Sequence, residues 1–423
     1  MSNRPPDLAG RRRALRTAGL LSGVAAGAWL GAAEAPAKLV STGLSPVTVS
    51  LVMVCGVFLA RWSLPALLQG TSAVGADVRQ APHLVIWAIL AGSLWSVANT
   101  LTVYAIRDVG LSIAFPLWNS NSLLGILWGA LFFGELRGAT ARQRTGVLGG
   151  TVAMCAGATL LALASTHEAA HGSAARGVIA ALCAGALWGT MYIPYRKAYL
   201  TGMSPLAFVT FFTVGELACM GIIALSINGS STTATELAAA RGVLFWLMLG
   251  GFVWVIGDLF QQYAAKYVGI SRGIPLSNTN QLWGLLWGTL VFGELRRSGA
   301  SLPLVVAGSL VMAIGAAAVA LATTGDTEHE QWREAAEREA RRYGVDIEWV
   351  RARLVGTASA PVRRTWIDWT LVAFSTAVFV WLARAAETPA LAMDLRWVAV
   401  LCIVSVALLA AAGWNLWRTT RFN

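Results

Sequence analysis

Charge is what this sequence has little of. Only 13% of its 423 residues are Asp, Glu, Lys or Arg, while 56% are apolar. A water-facing surface needs about a quarter charged residues, so a soluble enzyme is excluded. Cysteine is scarce too. Cys55, Cys155, Cys183, Cys219 and Cys402 all lie in apolar runs without CxxC spacing, which reads as small buried hydrophobes rather than disulfides or a metal cluster. His167 and His171 are four apart but have no third ligand nearby, so no metal is expected. No P-loop, dinucleotide fingerprint, nucleophile elbow or HExxH occurs; ATP-driven transport is unsupported, no cofactor is implied and no enzyme is read. The net charge of +11 is spread in short clusters between apolar runs. That is the pattern of topogenic loops, not the single stripe a nucleic acid would require.

What is abundant is long apolar sequence. Runs of about 18 or more residues recur, the length that crosses a bilayer. Twelve spans are expected: 17–34, 46–69, 83–104, 111–133, 145–164, 177–195, 205–227, 242–264, 271–292, 301–322, 367–384 and 395–417. With residues 1–16 inside, the inner segments through the tenth span hold 13 Lys/Arg, counting Arg272 at the start of the ninth span, and the outer loops six. The positive-inside rule therefore places both termini in the cytoplasm. Ala33-Glu34-Ala35 after the first run resembles a signal-peptide cleavage site. The same segment recurs in mid-chain, so an uncleaved span is expected.

That recurrence is an internal repeat. An offset of 159 aligns Trp87 with Trp246, Gly92 with Gly251, Trp95 with Trp254, Tyr104 with Tyr263 and Pro116 with Pro275. Over 104–137 and 263–296 the match is ungapped, with 20 of 34 positions identical. Pro116-Leu117-Trp118-Asn119-Ser120-Asn121 answers Pro275-Leu276-Ser277-Asn278-Thr279-Asn280. Phe133-Gly134-Glu135-Leu136-Arg137 answers Phe292-Gly293-Glu294-Leu295-Arg296. Upstream, Gly31 and Pro36 pair with Gly189 and Pro194, and Ser45-Pro46 with Ser204-Pro205. Residues 17–164 and 177–322 are two copies of a five-span unit, and an odd span count inverts the second copy in the membrane. The expected fold is an all-α polytopic membrane protein, with two inverted five-helix repeats (ten spans), a cytoplasmic helical hairpin and two extra spans. Inverted repeats are a transporter architecture with a midplane site between the halves.

These residues resemble the drug/metabolite transporter superfamily. The Trp-rich, Asn-containing fourth and ninth spans resemble its glucose/ribose porter branch of bacterial sugar uptake proteins. The resemblance covers about 17–322 and implies secondary or facilitative transport of a small solute, a monosaccharide first, across the bacterial inner membrane. An exporter of amino acids or other small metabolites is the alternative within transport, and a non-transporting membrane scaffold the alternative outside it.

A proline inside a span frees a carbonyl for water or ligand. Pro116 and Pro275, with Pro36 and Pro194, are the expected helix breaks. Amides both donate and accept, as sugar hydroxyls require, so Asn119, Asn121, Asn278, Asn280 and Gln281, with Asn99, are expected to line a central cavity. The competing reading is interhelical hydrogen-bonding glue. Trp95, Trp118, Trp254 and Trp283 lie at span depth and can stack on a sugar or simply pack helices. Charged groups inside spans need a reason. Asp258, Glu216, Arg61 and Glu34 are therefore candidates for coupling to a proton or sodium ion, or for structural pairs such as Glu216 with Arg61 or Asp258 with Lys266. Gly134–Arg137 reads as a helix end with headgroup-level charge.

Residues 326–364 carry mixed charge at helical spacing, a solvated cytoplasmic helix that Gly344 ends and Asp346 restarts. Two accessory spans within 367–417 follow. Partners expected are the solute and membrane lipid, and no nucleic acid.

Overall fold

Hydrocarbon offers the backbone no partner, so each apolar run satisfies its N–H and C=O groups internally, as a helix. The computed structural model describes residues 8–33, 35–36, 44–109, 114, 117–164, 173–293, 301–322, 326–354, 356, 363–387 and 393–422. Among them the regular structure is helical throughout. It comprises α1 (Leu8–Ala32), α2 (Pro46–Leu68), α3 (Thr71–Gln80), α4 (His83–Val109), α5 (Ser120–Phe133), α6 (Ala141–Ala164), α7 (Ala174–Leu200) and α8 (Pro205–Ala239). It continues with α9 (Leu244–Val268), α10 (Ile270–Ser277), α11 (Asn280–Leu286), α12 (Leu302–Leu321), α13 (Asp326–Tyr343), α14 (Ile347–Leu354), α15 (Trp366–Ala385) and α16 (Leu395–Thr420). A π-helical turn, Trp287–Val291, extends α11.

Among the described residues, nine helices are long and apolar enough to cross a membrane: α2, α4, α6, α7, α8, α9, α12, α15 and α16. The chain is an integral membrane protein. Three expected spans look different. α1 starts at Leu8 and so includes the arginines before the first apolar run. Within 111–133 the longest described helix is the 14-residue α5. Span 271–292 is broken into α10, α11 and the π turn. The seventh expected span, α8, runs beyond 227 to Ala239, passing a non-helical Gly229 at φ 77°.

Local sequence explains the starts. Ser45 and Ser204 each accept a hydrogen bond from the N–H three residues on, at 3.3 and 3.2 Å, with proline next in the chain. Both features satisfy or remove orphan donors of a first helical turn.

Packing comes in matched pairs across the two halves. α1 lies on α9 as α7 lies on α4, and α2 lies on α9 as α8 lies on α4. α5 meets α7 as α10 and α11 meet α1, while α2 packs on α8 and α6 on α12. Glycines permit the closest crossings. A β-carbon at Gly56, Gly92, Gly215 or Gly251 would run into the carbonyl of Met248, Phe212, Ile89 or Met53, respectively. α15 packs on α2 and α16 on α1. Their outer faces, with Trp369, Trp381 and Ile403, are exposed and apolar, as a lipid boundary allows.

The hairpin α13–α14 is not simply solvated. Gly344 at φ 66° does end α13, and the Asp346 carboxylate accepts from the Glu348 N–H at 2.9 Å. Yet Trp332, Ala335, Ala336, Ala340 and Val350 are buried in one cluster with residues of α4, α7 and α8.

Candidate functional site

The charged candidates converge although 197 residues separate the outermost two. Arg61 on α2 donates to the Glu216 carboxylate of α8 and to the Asp258 carboxylate of α9, each at 2.7 Å. All three are at most 1% exposed. The guanidinium lies 4.2 Å from the Phe212 ring centre and 5.3 Å from that of Trp254, so apolar and aromatic groups hold the charges tightly together. Gln262 donates to Asp258 at 2.9 Å, and the Tyr199 hydroxyl donates to Gln262 in turn. The expected pair of Glu216 with Arg61 is present. The pair of Asp258 with Lys266 is not: Lys266 has no hydrogen-bond partner among the described residues and lies 5.6 Å from the Tyr267 ring. Two helical turns separate Asp258 from Lys266, and the crossing of α2 over α9 brings Arg61 nearer.

The amides gather in a second place, where both halves break their helix. The turn at Asn119 precedes α5, and its counterpart at Asn278–Thr279 separates α10 from α11. Asn119, Ser122, Thr151, Pro275, Asn278 and Gln281 line a cavity of ≈ 10 Å³ together with Met154, Cys155 and Met312. That is room for about one water, not a sugar. Asn278 donates to Ser122 at 2.6 Å and to Asn121 at 3.4 Å, and Asn121 donates to the Tyr192 hydroxyl at 3.4 Å. Asn280 sits where α1 crosses, its backbone against Gly27 and Gly31, and Trp283 packs against the same Gly31. Asn99 lies apart and donates to Ser50 at 3.4 Å.

Trp95 and Trp254, matched by the repeat, meet with ring centres 5.2 Å apart. Trp118 instead packs edge-on to Trp188 at 6.2 Å. Pro194 is buried within α7, and Pro36 follows the end of α1. Pro116, Glu34, His167, His171 and Glu294 lie outside the described residues. No group of three or more metal-ligating side chains occurs among the described residues.

Two features escaped the sequence reading. One is an aromatic bridge between the polar clusters. Tyr192, bonded to Asn121, faces Tyr195 at 5.9 Å, and Tyr195 faces Phe212, beneath Arg61, at 5.8 Å. The spacing of Tyr192, Tyr195 and Tyr199 along one helical face was a legible signal.

The other is Glu135. Gly134 ends α5 at φ 67° as expected, but Glu135 is 1% exposed rather than at headgroup level. Its carboxylate accepts from the Ile270 and Ser271 N–H groups at 3.1 and 2.9 Å, from the Ser271 hydroxyl at 2.6 Å and from Arg196 at 2.9 Å. It thereby caps the start of α10, in the other half of the chain. Outside the spanning helices, hydrogen bonds from Arg351 at 2.8 and 3.0 Å hold the Glu337 carboxyl below its usual pKa.

A bundle of apolar helices, paired across two halves and enclosing an ion triad and an amide cluster, defines a polytopic membrane protein with polar groups walled off from lipid. Comparison with known proteins narrows the class. Residues 188–339 match the family described as sugar transport protein. The chain is 24% identical over 214 residues to the glucose uptake protein GlcU of Staphylococcus xylosus, covering 50% of this chain and 69% of that one. It is 28% identical over 240 residues to the putative ribose uptake protein RbsU of Lactiplantibacillus plantarum, covering 55% and 78%. These relatives are named for uptake, not for an enzymatic reaction. The similarity to the glucose/ribose porter branch read from the residues is thus shown. A solved structure aligns over 73% of this chain at 16% identity with a TM-score of 0.44, too low to define a shared fold.

Proposed function

We propose that the chain carries a monosaccharide across the bacterial inner membrane by alternating access, rocking two inverted five-span halves, 17–164 and 177–322, about a central site. The observation that carries this reading is the meeting of repeat-matched positions. Trp95 stands against Trp254, and helix breaks at Asn119 and Asn278 face one cavity. Interfaces between matched halves are where such carriers bind, and the family match and the relatives named for glucose and ribose uptake supply the substrate class.

In this reading both termini are cytoplasmic, and Asn119, Asn121, Asn278, Asn280 and Gln281 receive sugar hydroxyls. Trp95, Trp118, Trp254 and Trp283 offer ring faces, with Asn99 at the far end of the site. A cavity of ≈ 10 Å³ represents the closed state, so the sugar enters when α5 and α10 part. The triad supplies coupling. With both carboxylates ionised, Arg61, Glu216 and Asp258 sum to one negative charge, which a proton or sodium ion neutralises.

The test is thermal unfolding of detergent-purified protein against a panel of monosaccharides, amino acids and nucleosides. A sugar at ten times its dissociation constant should stabilise by about 1.4 kcal/mol. The shift should vanish in Asn278→Ala, which itself costs about 0.6–2 kcal/mol of interhelical bonding. A shift with amino acids alone would replace sugar with the exporter reading. Proteoliposome uptake that ignores pH and sodium gradients would remove the coupling role of the triad.

A further inference from the structure

The hairpin α13–α14 lies outside the repeat, and no part of the carrier reading above uses it. Its contacts are distributed in a particular way. Toward the first half, Arg353 pairs with Asp77 at 2.5 Å, Tyr343 stacks on His83 with ring centres 3.8 Å apart, and Gln331 accepts from Arg137 at 3.2 Å. Toward the second half, Trp332 covers the Arg196 guanidinium at 4.0 Å, Glu339 pairs with Lys197 at 2.9 Å, and Trp349 packs on Gly202. Arg196 is the residue that holds Glu135 and, through it, the start of α10.

We propose that α13–α14 is an inhibitory lock that clamps the two halves together on its own face of the membrane. This rests on the carrier reading. A rocking carrier must separate its halves on each face in turn, and a segment bonded to both halves resists separation on the face it covers. The contacts are ion pairs and ring contacts between side chains, with no covalent tie to either half. The buried alanines of α13 form a smooth seat. Release exposes the ends of α7 and α10 and frees the amide cavity to open toward that face.

The first measurement uses Arg137→Cys with Gln331→Cys and Lys197→Cys with Glu339→Cys, with Cys55, Cys155, Cys183, Cys219 and Cys402 replaced by serine or alanine. A short reversible bifunctional thiol reagent then ties the hairpin to both halves. Expected is a loss of sugar uptake into proteoliposomes of at least about tenfold, within the usual range of conformational coupling, restored by reductant. A cross-linked carrier that moves sugar at the uncross-linked rate overturns the lock.

The second measurement pairs Trp332→Ala and Glu339→Gln with Ala198→Cys, a buried position on α7 in the cluster the hairpin covers. A membrane-impermeant maleimide should label this cysteine several-fold faster than in the unloosened protein; equal labelling overturns the proposal. If the loosened variant fails to fold, the cross-link still decides. If no variant, including the unmodified chain, moves any sugar, the carrier reading has failed, and labelling alone judges the lock.

Discussion

The two halves share helix order, prolyl starts and glycine crossings, yet they differ in one layer. Arg61 sits between Glu216 and Asp258, whereas the positions related to these three by the repeat are Met220, Val57 and Asn99. There the Thr100 hydroxyl meets the Met220 sulfur at 4.0 Å, and Asn99 reaches Ser50. The same helices cross in the same way with no charge between them. The backbone architecture therefore does not need the triad. Repetition marks what the two halves share, and the triad is where they depart from it.

That comparison can be broken most directly at Arg61. Arg61→Leu strands two buried carboxylates and should destabilise by about 3–5 kcal/mol, read as a fall in the unfolding temperature in detergent. A fall much smaller than this would mean that the carboxylates find other partners. Next come the crossings. Gly92→Ala and Gly251→Ala occupy matched positions and each forces a β-carbon toward a carbonyl, of Phe212 and Met53 respectively. Each should cost about 1–3 kcal/mol. Unequal losses would show that the halves are not mechanically equivalent.

The triple variant Arg61→Met, Glu216→Val, Asp258→Asn copies the uncharged layer into the charged one. Removing an ion cluster as a unit is often neutral for stability, so its unfolding temperature should stay near that of the parent while gradient-driven uptake disappears. A loss as large as that of Arg61→Leu alone would make the triad a folding device instead.

The smallest effect is on the hairpin, which has no counterpart in the repeat. Glu337 has its pKa depressed in the folded state by Arg351. Its contribution is present above the unfolded value of about 4.3 and is lost as pH falls through the lower, folded one. Acid titration of a fluorophore attached at Gln331→Cys should show this loss, and Glu337→Gln should flatten it.

Much of the fold was legible in the residues. Apolar runs located the spans, because hydropathy and length are summed over neighbours in the chain. Ser45-Pro46 and Ser204-Pro205 announced helix starts, and Gly344 and Asp346 the corner of the hairpin. Much of the site was not. Asp258 has its nearest cation in sequence at Lys266, eight residues on, but its partner is Arg61 on another helix. Glu135 follows a glycine at a helix end, where solvent exposure is the ordinary outcome. The left-handed turn at Gly134 folds it back beneath Arg196 instead. The apolar stripe of Trp332, Ala335, Ala336, Ala340 and Tyr343 was visible among the charges of α13, but nothing local names the surface it covers.

By itself, then, the sequence determined that this chain is a membrane protein, where most of its helices run, that it contains a duplicated unit, and which polar side chains fall within its apolar runs. These are properties of local composition and of self-comparison. Only the tertiary structure decided that Arg61 joins Glu216 and Asp258, that Asn278 meets Asn121 and Ser122, and that a charged hairpin seats across both halves. Interactions between helices depend on which faces cross and at what depth. Packing of the whole bundle sets those quantities, and no window along the chain contains them.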